Sequence, residues 1–589
     1  MPAPKKHLIL CGGLSTKKKT TGWTIHDLQI GEREGMIHMD TETLSRRMVE
    51  QAPPIMHDLV HIASYVYVAD QVISRGGPVK FDYGNDWHRD LQFEIPVREY
   101  EIWSSVEVRE VLADALSFLS GDSYEFIFHR EAPGTESSFF GFHNEMQDAF
   151  QPDRVALFSG GLDSFTGAVD TVVGQEQTIA LVSHQSNPKL TKLQKGLHSL
   201  ICDMSGSQRV AMHFPAMINK DKDLTHDTTQ RGRSFLYAAL GALIAHMFKL
   251  DKVIFFENGI ISCNLPFDGQ TPQARRTRST HPKLLAYLSR LVSQLIQEKF
   301  TFENPYFLKT KTDVVKQLKE LRNEIHIERT RSCADSIFRY PATHCGVCSQ
   351  CIDRRFATLA AECAEYDSEM QYALNIFTDG LEKGHDRAMA AGFAGLALKL
   401  ETVSDNEFTR WFVSELGDIC FHMNGGSRED NIRLVAEMHR RHGRQVTEVA
   451  SSQLKEHSDA ICRGLLPVNC LLSMISRQEH QDVGKIRQMQ QVAKQKHADP
   501  PRKRVRKKTS SLTPREHEAY TIVKGQGNTQ RQAALLMGCS QANISKLLKS
   551  AELKIKAASS RSVNLSAARK LPTDRRGQIS SGTYDDPIE

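Results

Sequence analysis

The sequence predicts a multidomain α/β protein whose centre is a parallel sheet covered by helices. Three observations predict it. Residues 151–365 repeat the order strand, glycine loop, helix, strand, the pattern of parallel strands joined by crossover helices. Residues 1–150 alternate strand-like runs with amphipathic stretches, and residues 366–480 carry apolar positions at helical spacing. A chain of 589 residues also needs several cores, because one domain holds about 100–200 residues. With 40% hydrophobic and 25% charged residues, the composition excludes wholesale disorder and a fibrous protein.

In the N-terminal 150 residues, His7 to Cys11, Leu91 to Val97 and Tyr124 to His129 read as strands, and the stretches 57–73 and 105–119 as helices. No chemical motif is evident there, and the polar run Asp86 to Asp90 reads as a surface turn. Lys5 and Lys6 precede an apolar run too short for a signal segment. The longest near-apolar stretch, Tyr237 to Phe248, falls well short of the roughly 18–20 residues of a membrane span. A cytoplasmic protein is therefore expected, in which the 12 cysteines serve as thiols or metal ligands rather than as a disulfide framework.

The formal net charge of +5 has one source. Lys496 to Lys508 holds seven of the 75 basic residues and one of the 70 acidic residues, so the rest carries 68 against 69. The segment 481–510 is thus a basic linker or a phosphate-contacting arm. Residues 511–556 form a small helical module, and 557–589 a polar tail expected to be disordered.

The chemistry concentrates in two motifs. Val155 to Phe158 lead directly into Ser159, Gly160, Gly161, Leu162, Asp163 and Ser164, followed by a helix-compatible stretch. Adjacent glycines let backbone N–H groups converge, Ser159 and Ser164 add hydroxyls, and the helix start adds positive potential, so the loop suits a phosphate group. It is neither GxxxxGK[ST] nor GxGxxG. Further on, Cys333, Cys345, Cys348 and Cys351 form C-x11-C-x2-C-x2-C. Four thiolates make a closed tetrahedral set for structural Zn²⁺; an iron–sulfur cluster is the competing occupant, although the C-x3-C-Pro element is absent.

SGGLDS resembles the SGGxDS signature of PP-loop ATP pyrophosphatases. That resemblance implies an adenine nucleotide alpha hydrolase-like fold, ATP on Ser159 to Ser164, and Asp163 helping to hold Mg²⁺. Taken with Ser332-Cys333, Cys345-Gly346-Val347-Cys348-Ser349-Gln350-Cys351 and Arg354-Arg355-Phe356-Ala357, it narrows to a resemblance to 7-cyano-7-deazaguanine synthases, which make the queuosine precursor preQ0. Gly232 to Leu236 is similar to that family's GRN-x-x-x-L segment, and Thr310 to Val315 to its TKxEVV segment. The match covers about 151–360 and neither flank. It implies that ATP activates a 7-carboxy-7-deazaguanine as an acyl-adenylate, that Arg233 and Lys311 offset negative charge, and that an amine then yields an amide or nitrile. The chain departs from the family at Ser183-His184-Gln185-Ser186-Asn187, at Ser234 and at Glu257-Asn258-Gly259-Ile260-Ile261, which leaves base identity and nitrile formation open.

At the C-terminal end, Leu512 to Glu516 opens a helix with Thr513 as N-cap and Pro514 at the first turn. Thr529 to Leu536, Gly538-Cys539-Ser540 and Gln541 to Ser550 then read as helix, turn and helix, with Ala534, Gly538 and Ile544 at closing positions. This resembles the helix-turn-helix of sigma-factor and LuxR-type regulators, and would turn Gln541, Asn543, Ser545 and Lys546 towards DNA. The whole resembles the enlarged synthase-like proteins of bacterial anti-phage operons, in which a deazaguanine is attached to DNA or to a protein partner. Two other functions fit the same residues: a nucleic-acid-binding regulator that only senses nucleotide, and a tRNA-modifying PP-loop enzyme.

Overall fold

The computed structural model describes residues 6–15, 22–31, 37–40, 52–75, 88–131, 150–207, 210–221, 224, 231–266, 278–334, 341–476, 519–525, 529–537 and 543–552. The chain forms two compact units, Met1–Lys494 and Gln495–Glu589.

The first unit is a mixed α/β body built on two sheets. Strands β1 (Lys6–Cys11), β2 (Trp23–Leu28), β4 (Asp90–Val97) and β5 (Ser123–Arg130) form a parallel sheet in the order β2-β1-β4-β5, while β3 (Ile37–Asp40) joins the second sheet. The strands expected at 7–11, 91–97 and 124–129 are three of these, and the expected helices are Pro54–Val72 and Val106–Ser120. The second helix is capped by the Ser105 side chain and ends on left-handed Gly121. Arg89, in the run expected to be a surface turn, is instead 1% exposed and lies with Arg75, Asp70 and Asp122. Burying a charge requires paired partners, and those partners come from distant segments.

The second sheet contains β6 (Arg154–Leu157), β7 (Ile179–His184), β8 (Ala211–Lys220), β9 (Lys252–Ile254) and β10 (Thr301–Glu303), in the order β10-β9-β6-β7-β8-β3. All neighbours are parallel except the β3–β8 pair. The chain builds outwards from β6 through β7 and β8, then crosses back to place β9 on the other side of β6. In such a doubly wound sheet the crevice for a ligand opens at the carboxyl end of the central strand, where the direction reverses.

Both faces are buried, as the continuous apolar runs require. Val155 and Leu157 of β6 face helices Arg233–Met247 and Pro282–Ile296; Ala156 and Phe158 face Leu162–Val169, Pro188–Ser205 and Lys311–Glu320. Gly241 permits the close approach, since a Cβ there would stand 2.9 Å from carbons of Leu157 and Val253. One apolar core runs on from this face into helix Pro54–Val72 and the first sheet.

The described residues from 367 to 476 are mainly helical, as expected, with Gly384–Leu400 and the 29-residue Arg428–Glu456 as principal elements. They cross where Gly443 lies so near Ala397 and Glu401 that a Cβ would be 2.7 Å from backbone atoms. Among the described residues no helix is long and apolar enough to cross a membrane.

In the second unit, helix Gln530–Leu536 starts at Thr529, whose hydroxyl accepts the Gln532 amide N–H at 3.3 Å while Gln532 accepts the Thr529 amide N–H at 2.9 Å. A second helix occupies 543–552. Ala519, from the helical segment 519–525, packs with Ala533, Ala534, Ile544 and Leu548 in their shared core. Gln541, the turn at 538–540, the helix start at 512–516, the basic segment 496–508 and the tail 557–589 lie outside the described residues.

Candidate functional site

The glycine loop sits at the carboxyl end of β6, at the point where the sheet reverses. Gly160 has φ +82°, the left-handed region glycine adopts without strain, and Gly161 is the N-cap of helix Leu162–Val169 without a side-chain capping bond. The first-turn amides therefore lack a side-chain acceptor, the arrangement an anion completes. Ser159 Oγ accepts the Gly161 N–H at 3.2 Å and lies 3.2 Å from Ser164 Oγ, which donates to the Gly161 carbonyl at 3.0 Å. Gln194, from helix Pro188–Ser205, donates to the Ser159 carbonyl at 3.4 Å.

Asp163 turns inward. Its Oδ1 accepts from Lys311 Nζ at 2.9 Å, and its Oδ2 accepts both the backbone N–H and the side-chain amide of Asn258, at 3.1 and 3.0 Å. Burial opposes the Asp163 charge, but Lys311 and hydrogen bonds from Glu257 and Asn258 hold the carboxyl below its ordinary range. Burial and the Asp163 charge push Glu257 well up, so the proton between these two acids resides on Glu257. Asp353, 1% exposed, is pushed up to about 7 by burial, and its Oδ2 has no hydrogen-bond partner. Three carboxyls from different segments thus converge on one lysine.

A carboxylate offers about four acceptor positions. Those of Asp163 are taken by Lys311, Glu257 and the two groups of Asn258. Among the described residues the cysteine cluster is the set of His, Cys, Asp or Glu side chains placed to hold a metal ion; fully ionised, the three carboxyls around Lys311 would leave two negative charges.

Lys311 owes its place to the helical region. Thr310 and Asp313 form a capping box at the start of helix Lys311–Glu320. Arg441 donates to Asp313 Oδ2 at 2.9 Å, and Gln445 donates to Asp313 Oδ1 at 3.1 Å while accepting from the Thr310 hydroxyl at 2.7 Å.

The four cysteines come together, each sulfur within 4.8 Å of the others. Gly346, at φ +84°, makes the turn possible: a Cβ there would overlap the Leu374 carbonyl at 2.0 Å. The Cys348 amide donates to Cys345 Sγ at 3.4 Å, a thiolate-stabilising contact. The cluster can hold one metal ion, and it is tied to the glycine loop. Buried Arg354, on helix Ser349–Ala360, donates to Asp367 at 2.8 Å, to the Ile327 carbonyl at 2.8 Å and to the Thr330 hydroxyl at 2.7 Å. The next amide, that of Arg331, donates to the Gly160 carbonyl at 3.1 Å.

Arg233 is placed apart from the carboxyl cluster, at the first turn of helix Arg233–Met247, where its charge acts on Tyr67, His184 and Tyr237. Burial depresses His184 to about 4, so this imidazole is neutral. In the second unit, Asn543 and Lys546 are exposed, Ser545 is half-buried, and Ile544 between them is buried.

Sequence reasoning did not single out Asp353 or the braces Gln445 and Arg441. Asp353 adjoins the cysteine motif, which was its only signal. No protein-family model matches the chain, and no curated protein is similar to it.

Proposed function

We propose that the protein is an ATP-dependent, zinc-containing ligase resembling 7-cyano-7-deazaguanine synthase. It adenylates a 7-carboxy-7-deazaguanine-type carboxylate and passes the acyl group to an amine. In the first half-reaction a carboxylate oxygen attacks the α-phosphorus of ATP and pyrophosphate leaves. In the second the amine attacks the acyl carbon, AMP departs and an amide remains; where the amine is ammonia, activation and dehydration of the primary amide would give the nitrile.

The observation that carries this reading is the buried Asp163–Lys311 pair beneath the uncapped glycine loop, at the reversal point of a parallel sheet. The loop amides and Ser159 and Ser164 would receive the pyrophosphate end, with Asp163, Glu257 and Asp353 as ligands for Mg²⁺ and Lys311 against the phosphates. The thiolate set of Cys333, Cys345, Cys348 and Cys351 suits Zn²⁺, whose closed coordination makes it structural. Arg233 would meet the substrate carboxylate.

A second reading concerns the C-terminal unit. Exposed Asn543 and Lys546 around buried Ile544 support a helix-turn-helix that binds DNA. In that setting the amine acceptor belongs to a macromolecule, DNA or a protein partner, and the setting resembles anti-phage defence. Tethering raises the effective concentration of a docked amine above that of free ammonia.

The test is pyrophosphate release from ATP with and without 7-carboxy-7-deazaguanine, followed by chromatography of small products and intact mass of candidate partners. Release that depends on the acid supports the ligase. ATP binding with no release under any acid would favour a nucleotide-sensing regulator.

A further inference from the structure

Residues 1–131 take no part in the chemistry described above, yet they grip the start of the helix that carries Arg233. Asp70 and Asp122 share Arg75 and Arg89, all four fully buried: Asp70 Oδ1 accepts from Arg89 at 2.6 Å and from Arg75 at 3.2 Å, and Asp122 Oδ2 from the same two at 2.6 and 2.7 Å. Two acids and two guanidiniums balance, the condition for keeping charges in a core. The other oxygen of Asp70 reaches across to the second sheet's helices, where Oδ2 accepts the Gly232 amide N–H at 3.0 Å.

Gly232 is held on each side. Arg231 donates Nη1 to the Ser120 carbonyl at 2.7 Å, and Arg233 follows as the first residue of its helix. A Cβ at Gly232 would stand 3.3 Å from Tyr67 Cα and 3.4 Å from the Val66 carbonyl oxygen, so helix Pro54–Val72 leaves no slack. The Tyr67 ring meets His184 edge-on at 5.1 Å. His184 ends β7, and its carbonyl accepts from the Tyr237 hydroxyl at 3.4 Å. Arg233 therefore stands at the same strand-end edge as the glycine loop, with the start of its helix held by helices Pro54–Val72 and Val106–Ser120.

We propose that Asp70 is a positioning residue for the adenylation described above: by fixing the Gly232 amide it aims Arg233 at the substrate carboxylate, and the N-terminal domain becomes one wall of the substrate site. The inference rests on that functional reading. Its test is pyrophosphate release measured against varied 7-carboxy-7-deazaguanine and varied ATP. Asp70→Asn should raise KM for the acid about tenfold and leave KM for ATP unchanged. Arg233→Gln should do the same, and the double variant should be no worse than Arg233→Gln alone, because both changes remove one interaction. Additive losses would make Asp70 merely structural and overturn the proposal. Gly232→Ala keeps the buried charges and guards against an unfolded Asp70→Asn: a folded Gly232→Ala protein should show the same split, and unchanged KM values would overturn the proposal. Absence of pyrophosphate release by the unaltered protein would remove the functional reading and this role with it, whereas normal release with additive losses removes this role alone.

Discussion

Lys311 Nζ lies 2.9 Å from Asp163 Oδ1, and the two side chains are 3% and 5% exposed although 148 residues separate them. The pair closes the floor of the glycine loop. Burial alone would discharge both groups; each instead keeps its charge through the other, the lysine raised and the aspartate lowered.

Breaking the pair from either side should therefore cost both fold and function. Lys311→Met leaves the Asp163 charge buried with only Glu257 and Asn258 as partners, for which about 3–5 kcal/mol of stability is expected, read as a fall in the urea midpoint. Asp163→Asn, nearly isosteric, should retain the fold better while pyrophosphate release falls by orders of magnitude. Undiminished release from folded Asp163→Asn would exclude the loop from ATP chemistry.

Cation binding should depend on pH. Glu257 is raised well above its ordinary range and Asp353 to about 7, so both carry protons at mildly acidic pH. A divalent ion needs the ionised forms and must displace those protons. Mg²⁺ affinity should accordingly rise as pH increases through 7, with proton release detectable by titration calorimetry in buffers of different ionisation enthalpy. Glu257→Gln should weaken binding and reduce the proton count; an affinity independent of pH would show that the ion sits elsewhere.

The sheet and its glycine loop were legible because apolar periodicity and glycine placement are local. The strands at 7–11, 91–97 and 124–129 and the helices beyond 366 follow from the same signals. The four cysteines were legible because ligand spacing is itself a sequence property. What stayed hidden is charge pairing across the chain. Arg89 lies in a run that looks like a solvated turn, and nothing near it in sequence announces Asp70 or Asp122. A hint did exist: Asp58 and Asp70 lie in a helix rich in apolar residues, and acids in such a place need fixed partners. Gln445 and Arg441 were equally silent, since their partner Asp313 is more than a hundred residues away.

The metal site should act at a distance. The four sulfurs of Cys333, Cys345, Cys348 and Cys351 predict close to one zinc per chain by elemental analysis, without visible absorbance. Cys348→Ser should lower the thermal midpoint, because metal binding energy is folding energy here. Through Arg354 and the Arg331 amide on Gly160, it should also weaken ATP binding. Iron in place of zinc, or a chelated protein that holds ATP as tightly as before, would contradict this.

The last prediction concerns DNA. Seven cations between Lys496 and Lys508 belong to the second unit, whose helix 543–552 exposes Asn543 and Lys546 and buries Ile544 and Leu548. Each neutralised phosphate releases counterions, so duplex binding should weaken steeply with salt. Removing 496–589 should abolish binding and leave adenylation intact, because the first unit carries every residue of the proposed chemistry. Within the unit the two kinds of contact separate. Lys546→Ala, at a phosphate, should lower affinity equally for all sequences and flatten the salt slope by about one. Asn543→Ala, at a base edge, should cost about 1–3 kcal/mol on preferred sites only. Equal losses from both substitutions on every duplex would mean that the helix binds charge without reading sequence.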